Sequence, residues 1–337
     1  MEYKQLGRTD LNVSRICLGT AQFGWTADKP TTFTILSEFV EQGGSFLDTA
    51  DAYSFWAKDN PGGVSEQWIG DWFKQSGLRR DQFIIATKVG LRMWEGADGA
   101  GLNRAHIMRA AEESLRRLQV ETIDLYLAHW PDDAVPIEET LRAFDDLVQQ
   151  GKVRVVGCSN YSAAQLRAAL DTGSANGLAR FDVVQPEYNL MRRKEYEGAL
   201  MDLYAAEQLG VMTYSSLARG FLAGKYRPGT AVTAQAMSRE TLRPYLTPRC
   251  FAVLDELERV ALARGATMTQ TAVAWILANP TITSAIMGAS TVTQLHKTLA
   301  GADFRLSASD KAALDDATAW ILAEGVPQPD MDALLGL

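Results

Sequence analysis

Cysteine, histidine and surplus positive charge are all scarce in this chain of 337 residues. The three cysteines (Cys17, Cys158, Cys250) are odd in number and far apart, which argues against a disulfide framework and for reduced thiols in a cytoplasmic protein. The three histidines (His106, His129, His296) are scattered, and no HExxH or CxxC spacing occurs, so no dedicated metal site is expected. Lys and Arg number 33 against 41 Asp and Glu, a formal net charge of −8. Such a balance offers no electrostatic footprint for nucleic acid or an anionic membrane, although it leaves room for one local basic pocket. The start, MEYKQLGRTD, has no apolar core of a secretory signal. No apolar run approaches the ~18–20 residues of a membrane span. No GxGxxG follows the first apolar run, and Gly220 with Gly224–Lys225–Tyr226 lacks the spacing of a phosphate loop and has Tyr where Ser or Thr is needed.

What is present is a regular alternation. Eight short apolar runs (15–18, 45–47, 83–86, 123–127, 153–156, 181–184, 211–213 and 283–287) stand apart at mostly ~30–40 residues, the size of a βα unit. Segments of helical period separate them: 31–42, 66–75, 104–118, 138–149, 163–170 and 194–208, then 249–264 and 269–278, with 292–299 after the last run. Ser162 is placed to cap the helix that begins at residue 163, and Gly151 and Gly210 follow helix ends. Eight strands alternating with helices predict an α/β protein with a closed (β/α)8 TIM barrel rather than a doubly wound sheet. Residues 1–13 read as an N-terminal β-hairpin that plugs the barrel bottom, with its turn at Gly7–Asp10. Residues 217–248 form a long insert after the seventh strand, of the kind used as a lid. The whole chain, 1–337, is expected to be one barrel domain with a tail over 304–337.

In such a barrel the chemistry sits at the C-terminal ends of the strands. Reading the polar residue that ends each run gives Asp48, Lys88, His129, Asn160, Gln185, and Tyr214 with Ser215; Gly288 to Ser290 follow the last, and Tyr53 lies five residues beyond Asp48. Taken singly, each is an ordinary loop charge, cap or packing residue. Together they form a coherent set. Lys88 supplies a positive charge that lowers the phenol pKa of Tyr53, Asp48 orients Lys88, and His129 hydrogen-bonds at the same oxygen. Tyr53 then serves as general acid to a carbonyl oxygen. Without a strong nucleophile or metal, this set suits proton delivery coupled to the arrival of a hydride.

The segments KQLGRTDLNVSRICLGTAQFG, FLDTADAY, GGVSEQWIG, IIATKVG, ESLRRLQVETIDLYLAHWPD, GKVRVVGCSNYS, VVQPEYNL, TYSSLARGFLAGKY and IMGASTVTQL occur in order along the chain. In them the sequence resembles the aldo-keto reductase superfamily over nearly its whole length, and especially the branch of bacterial oxidoreductases and potassium-channel β-subunits. The resemblance implies a barrel that binds a nicotinamide dinucleotide without a Rossmann domain. It implies a catalytic tetrad of Asp48, Tyr53, Lys88 and His129. It implies that Ser159, Asn160 and Gln185 hold the carboxamide, that Tyr214 stacks on the nicotinamide ring, and that Thr20 touches the cofactor. Ser215, Leu217, Gly220 and Lys225 would line the pyrophosphate under a belt formed by 217–248, and Arg239 aligns with a cofactor-contacting arginine. Where many members place Lys or Arg to grip the 2′-phosphate of NADP, this chain has Gly288 and Gln294; Ser290 and Gln294 match the channel-like branch, which uses NADP. Lys297 and Thr298 replace an acidic residue and an asparagine that commonly meet the adenine. NADP is the expected cofactor, with NAD possible.

The expected substrate is a small carbonyl compound. The aromatic residues Phe23, Trp25, Phe55, Trp56, Trp94 and Trp130 are candidates for the mouth, whereas Trp68 and Trp72 read as helix packing. The expected reaction is NAD(P)H-dependent reduction of an aldehyde or ketone to an alcohol, or its reverse, with hydride from nicotinamide C4 and a proton from Tyr53. The alternative is a channel β-subunit-like regulatory or redox-sensing binding module with slow turnover.

Overall fold

The computed structural model describes residues 1–96, 98–229 and 240–328. A two-stranded antiparallel hairpin, β1 (Tyr3–Gln5) and β2 (Asn12–Ser14), precedes the barrel. The barrel strands are β3 (Ile16–Gly19), β4 (Phe46–Asp48), β5 (Ile84–Val89), β6 (Ile123–Ala128), β7 (Val153–Ser159), β8 (Val183–Gln185), β9 (Gly210–Thr213) and β10 (Ser284–Gly288). All neighbours are parallel, and β10 pairs with β3 to close the ring. This is the (β/α)8 barrel read from the alternation. The strands read as continuous apolar runs because both faces are buried. Cys17, Phe46, Ala86, Leu125, Leu127, Val183, Met212 and Ile286 fill the interior, while Ile16, Leu18, Leu47, Ile85, Val156, Val184 and Val211 pack outward against helices.

The helices are α1 (Lys29–Glu41), α2 (Val64–Ser76), α3 (Arg104–Leu118), α4 (Ile137–Gln149), α5 (Ala163–Asn176), α6 (Ala199–Ala206), α7 (Pro248–Ala263), α8 (Met268–Leu277) and α9 (Val292–Asp303). Ser162 caps α5 in a capping box with Gln165. Two expectations needed correction. The helix expected over 194–208 begins only at Ala199, because Gly198 has φ +113, outside helical backbone. Gly210 is not a helix stop but the first residue of β9. The described part of the 304–337 segment adds α10 (Ala308–Ala317) and α11 (Ala319–Glu324). Its signal was Ser307 with Asp310, a capping box at the start of α10.

The hairpin closes the N-terminal end of the barrel. Leu6, Leu11 and Val13 are buried with the interior side chains Phe46, Leu125 and Met212. Gly7 makes this docking possible: its φ is +60, and a Cβ there would stand 2.2 Å from the backbone N of Gly210. With the bottom sealed, the open end is the one that carries the strand C-termini.

Candidate active site

The two-residue period of a strand decides which side chains meet at that open end. Phe46 points inward, so Asp48 does too; Ala86 brings Lys88, Leu127 brings His129, Val183 brings Gln185, and Met212 brings Tyr214. Register brings them level: Asp48 pairs with Ala86, Lys88 with Leu127, and Ser159 with Gln185. Gly157 lets β7 and β8 close up beneath them, since a Cβ there would lie 2.2 Å from the Val183 carbonyl oxygen.

Lys88 and Asp48 are fully buried, with Lys88 Nζ 2.9 Å from the carboxylate. Lys88 Nζ also donates to the Thr49 carbonyl and to Tyr53 Oη, each at 2.8 Å. Gln185 Nε2 donates to Asp48 Oδ1 at 2.7 Å. Thr20 Oγ1 donates to the Asp48 carbonyl at 3.0 Å, and Ser65 Oγ donates to Thr20 Oγ1 at 2.7 Å. The Tyr53 and His129 rings stand 5.9 Å apart, edge to face. His129 Nδ1 is buried and has no hydrogen-bond partner among the described residues.

The expected lowering of the Tyr53 pKa by Lys88 is not the balance found. Burial, and next the Asp48 carboxylate, push the phenol well above its ordinary value. Asp48 neutralises Lys88, so the phenol faces an ion pair rather than a lone cation. Burial, reinforced by the Lys88 ammonium, holds His129 well below the ordinary imidazole value. At neutral pH the mouth therefore holds a phenol and a neutral imidazole.

Beside this group lies a second set of bonds. Asn160, at φ +65, donates from Nδ2 to the His129 carbonyl at 2.9 Å and to Ser159 Oγ at 3.0 Å. Tyr214 Oη donates to Asn160 Oδ1 at 2.7 Å, and Ser159 Oγ to the Gln185 carbonyl at 2.7 Å.

A cleft of about 1430 Å³ runs over these residues. Its reaction end is lined by Trp25, Tyr53, Trp56, His129 and Trp130. Its long arm passes Ser215, Leu217, Gly220 and Lys225 to Gly288, Ser290, Gln294 and Lys297. Trp25 and Trp56 meet edge to face at 5.9 Å. Their loops are tied where Ser54 Oγ donates to the Phe23 carbonyl and Asn60 Nδ2 to the Gly24 carbonyl. Phe55 and Trp94 are not on the cleft wall. Phe55 packs on Trp56 at 5.3 Å, and Trp94 faces His106 and Arg109. Phe23 is fully buried, and Trp72 packs in the core against Phe73 and Phe83 as read from the sequence. Arg239 lies outside the described residues.

The long arm suits a polyanion. Ser215, Ala218 and Arg219 have φ between +47 and +57, and Gly220 follows at +85. Left-handed backbone at non-glycine residues costs on the order of 1–3 kcal/mol each and concentrates at ligand clamps. Reversals of hand also gather successive N–H groups on one side, an arrangement that binds anions. Ser215 Oγ is buried with no partner among the described residues. Lys225 stands over the Tyr226 ring at 4.8 Å. Gln294 is engaged locally, accepting from the Ser290 amide at 2.8 Å, and Ser290 Oγ lies 2.7 Å from Thr26 Oγ1. Gln22, Thr26 and Arg219 also line the arm; no spacing in the sequence pointed to them, because segments far apart in the chain bring them there.

A profile of the aldo/keto reductase family matches residues 15–319. The chain belongs to the aldo/keto reductase family. It is 36% identical over 323 residues to the "Uncharacterized oxidoreductase YrpG" of Bacillus subtilis, covering 94% of this chain and 95% of that protein. It is 33% identical over 343 residues to the "Aldo-keto reductase YhdN" of the same organism, covering 99% and 94%. It is 32% identical over 313 residues to a "Probable voltage-gated potassium channel subunit beta" of Arabidopsis thaliana, covering 90% and 92%. As an aldo/keto reductase the chain is an oxidoreductase. The family generally uses nicotinamide cofactors and acts on small carbonyl compounds. No helix among the described residues is long and apolar enough to cross a membrane.

Proposed function

We propose that the protein interconverts aldehydes or ketones and their alcohols with a nicotinamide dinucleotide, preferring NADP, and that Asp48, Tyr53, Lys88 and His129 carry the chemistry. The observation that carries this reading is the bond from Lys88 to Tyr53 Oη at 2.8 Å, at the head of a cleft with a long anion-suited arm. A nicotinamide dinucleotide bound in that cleft supplies the hydride. Ser159, Asn160 and Gln185 would meet its carboxamide, Tyr214 its ring, Thr20 its nicotinamide end, and Ser215, Leu217, Gly220 and Lys225 its phosphates. The unpartnered Ser215 Oγ and the reversed backbone beside it support that fit.

Tyr53 transfers its proton from Oη to the substrate carbonyl oxygen. Because Lys88 donates to Oη, the phenol hydrogen is left to point elsewhere, and the 3.5 Å separation from Asp48 is too long to hold it firmly. As the proton leaves, the ammonium beside Oη stabilises the phenolate that forms. The same contact offsets part of the rise in phenol pKa that burial and Asp48 impose. Asp48, itself held by Gln185, keeps Lys88 charged and aimed. Neutral His129 offers a hydrogen bond across the mouth, and Trp25, Trp56 and Trp130 exclude water from the carbonyl.

For cofactor choice, Lys297 is the residue to test. It lines the far end of the arm and has no hydrogen-bond or ion-pair partner among the described residues, which favours a 2′-phosphate there. Titration with NADPH and NADH by nicotinamide fluorescence, followed by absorbance with a panel of aldehydes, ketones and sugars, tests the whole reading. Absence of binding to either nucleotide would remove it. The kinship with a channel β-subunit favours a second reading, a binding module with slow turnover. Turnover well below ~1 s⁻¹ across the panel, against ordinary values of about 1–1000 s⁻¹, would select that one.

A further inference from the structure

The cleft has a branch that belongs to neither the reaction end nor the long arm. It opens between the N-terminal ends of α5 and α6, where Tyr161, Ala163, Tyr196, Leu200 and Tyr204 line it. The branch starts close to the chemistry. Ser159 ends β7 beside Gln185, and Asn160 Nδ2 donates to the His129 carbonyl at 2.9 Å, so Tyr161 is the next residue outward from the mouth.

Two hydroxyls in this branch are left open. Buried tyrosines ordinarily find a partner, and here Tyr188 donates to Glu197, Tyr196 bonds to Thr281 Oγ1 and Tyr214 donates to Asn160. Tyr161 is 6% exposed and Tyr204 3%, yet neither hydroxyl has a hydrogen-bond partner among the described residues. Neither is sealed off as the Tyr126 hydroxyl is, so both open into the branch. Burial, and then the neighbouring Cys158 thiol, hold both phenols above their ordinary range, so each keeps a hydrogen to donate. The surroundings are aromatic: Tyr204 stands 5.9 Å from the Tyr196 ring, and Tyr161 5.8 Å from Phe181. The charges nearby are spoken for. Arg193 holds Glu197 through two nitrogens, at 2.7 and 2.8 Å, and Glu187 lies 3.8 Å from Arg192. Lys194 and Glu195 stand exposed on the rim with opposite signs, and the start of α5 is engaged by its own capping box. Among the described residues, neither an anion nor a cation finds an unpaired counter-charge inside the branch.

We propose that the branch between α5 and α6 is a subsite for the far end of the carbonyl substrate, and that this substrate is an uncharged ketone or aldehyde carrying a hydroxylated ring. The subsite rests on the carbonyl-reduction reading above. The ring packs on Tyr161, Leu200 and Tyr204, and its oxygen bonds to the two free hydroxyls, which can each donate and accept. A carbonyl compound without the ring still reaches the tetrad but leaves those hydroxyls unpaired. The branch therefore acts on selectivity and not on the chemical step.

The test is steady-state reduction, by the full-length protein with NADPH, of methyl ketones that bear a para-hydroxyphenyl ring on a linker lengthened one carbon at a time. Matching ketones with a plain phenyl ring, and butanone, are the comparisons. In the wild type, kcat/KM for the best hydroxyphenyl ketone should exceed that for butanone about tenfold or more, as burial of a ring allows. Leu200→Trp fills the branch and should abolish that preference, with butanone turnover within about threefold of wild type. Tyr161→Phe and Tyr204→Phe each remove one oxygen, and cover the case in which Leu200→Trp fails to fold. Each should raise KM for the hydroxyphenyl ketone about 3–10-fold with kcat nearly unchanged, and leave the phenyl ketone within about twofold. A wild type that reduces butanone as well as any ring-bearing ketone overturns the subsite alone. So does a Leu200→Trp protein that slows all the ketones alike, or a pair of tyrosine variants that fail to separate the two ring series. No reduction of any ketone by the wild type with NADPH or NADH overturns the reaction reading, and the subsite with it.

Discussion

The two ends of the cleft are built differently. At the reaction end the polar side chains sit on strand tips, are buried, and bond to one another: Lys88 to Asp48, Thr49 and Tyr53, and Gln185 to Asp48. Along the long arm the lining comes from the loop after β9 and the start of α9, the backbone is strained at Ser215, Ala218 and Arg219, and Lys297 is exposed without a partner among the described residues. A tip is fixed by the barrel itself, whereas the arm depends on contacts between segments far apart in the chain. One end is thus set for chemistry, where a small misplacement costs rate; the other is set for capture and release.

If that division holds, substitutions at the two ends should move different quantities. Tyr53→Phe should have the largest effect, a loss of about 10³-fold or more in carbonyl reduction, with the NADPH dissociation constant within about threefold of wild type. In the wild-type enzyme the same step should be nearly flat from about pH 6 to 9, since the Tyr53 phenol stays protonated and His129 neutral throughout. A limb in mid-range would show that one of them titrates there. Lys88→Met should combine a loss of about 10²-fold in rate with a stability cost of about 3–5 kcal/mol, because Asp48 would remain buried without its cation. A variant as stable as wild type would mean that Asp48 finds another partner or a proton.

At the far end, Lys297→Ala should weaken NADPH about 5–20-fold and leave NADH alone; the side chain is exposed, so solvent screening limits the gain from a phosphate contact. Equal weakening of both nucleotides would assign Lys297 to a part that they share.

The smallest expected effect concerns Asp51, behind the tetrad. Both its carboxylate oxygens are fully buried with no hydrogen-bond partner among the described residues. Nearby, Glu66 is already engaged by Arg117 and Thr87. Burial, and then the Glu66 charge, raise the Asp51 carboxyl well above its usual range. A raised folded-state pKa means that stability is fully present below the unfolded value, about 3.9, and is lost as pH rises toward the folded value. Asp51→Asn cannot ionise. It should match wild type in melting temperature near pH 4 and exceed it by a few degrees at pH 8. A gap that does not change with pH would indicate that Asp51 is ionised in the folded protein.

Much of the reaction end is legible in the sequence. Asp48, Lys88, His129 and Gln185 each close an apolar run, and strand parity then turns them to one side. Tyr53 was legible only through its distance from Asp48 and its place in a familiar motif. The direction of its pKa was misread, because the sequence shows that an ammonium is near but not that a carboxylate neutralises it. Aromatic character alone places Phe55 and Trp94 at the mouth, yet composition does not say which way a loop side chain faces. The tail helices were missed although Ser307 and Asp310 announced the first of them.

By itself the sequence determined the eightfold alternation, the bottom hairpin and the strand-tip residues, because these follow from period, spacing and parity, all local properties of the chain. Only the folded chain decided that Gln185 steadies Asp48, that Asn189 bonds to Ser215 and Arg192 to Tyr245, and that Lys297 reaches the same cleft as Tyr53. Those contacts join residues tens to hundreds of positions apart. Ring closure brings them together, and no local pattern records it.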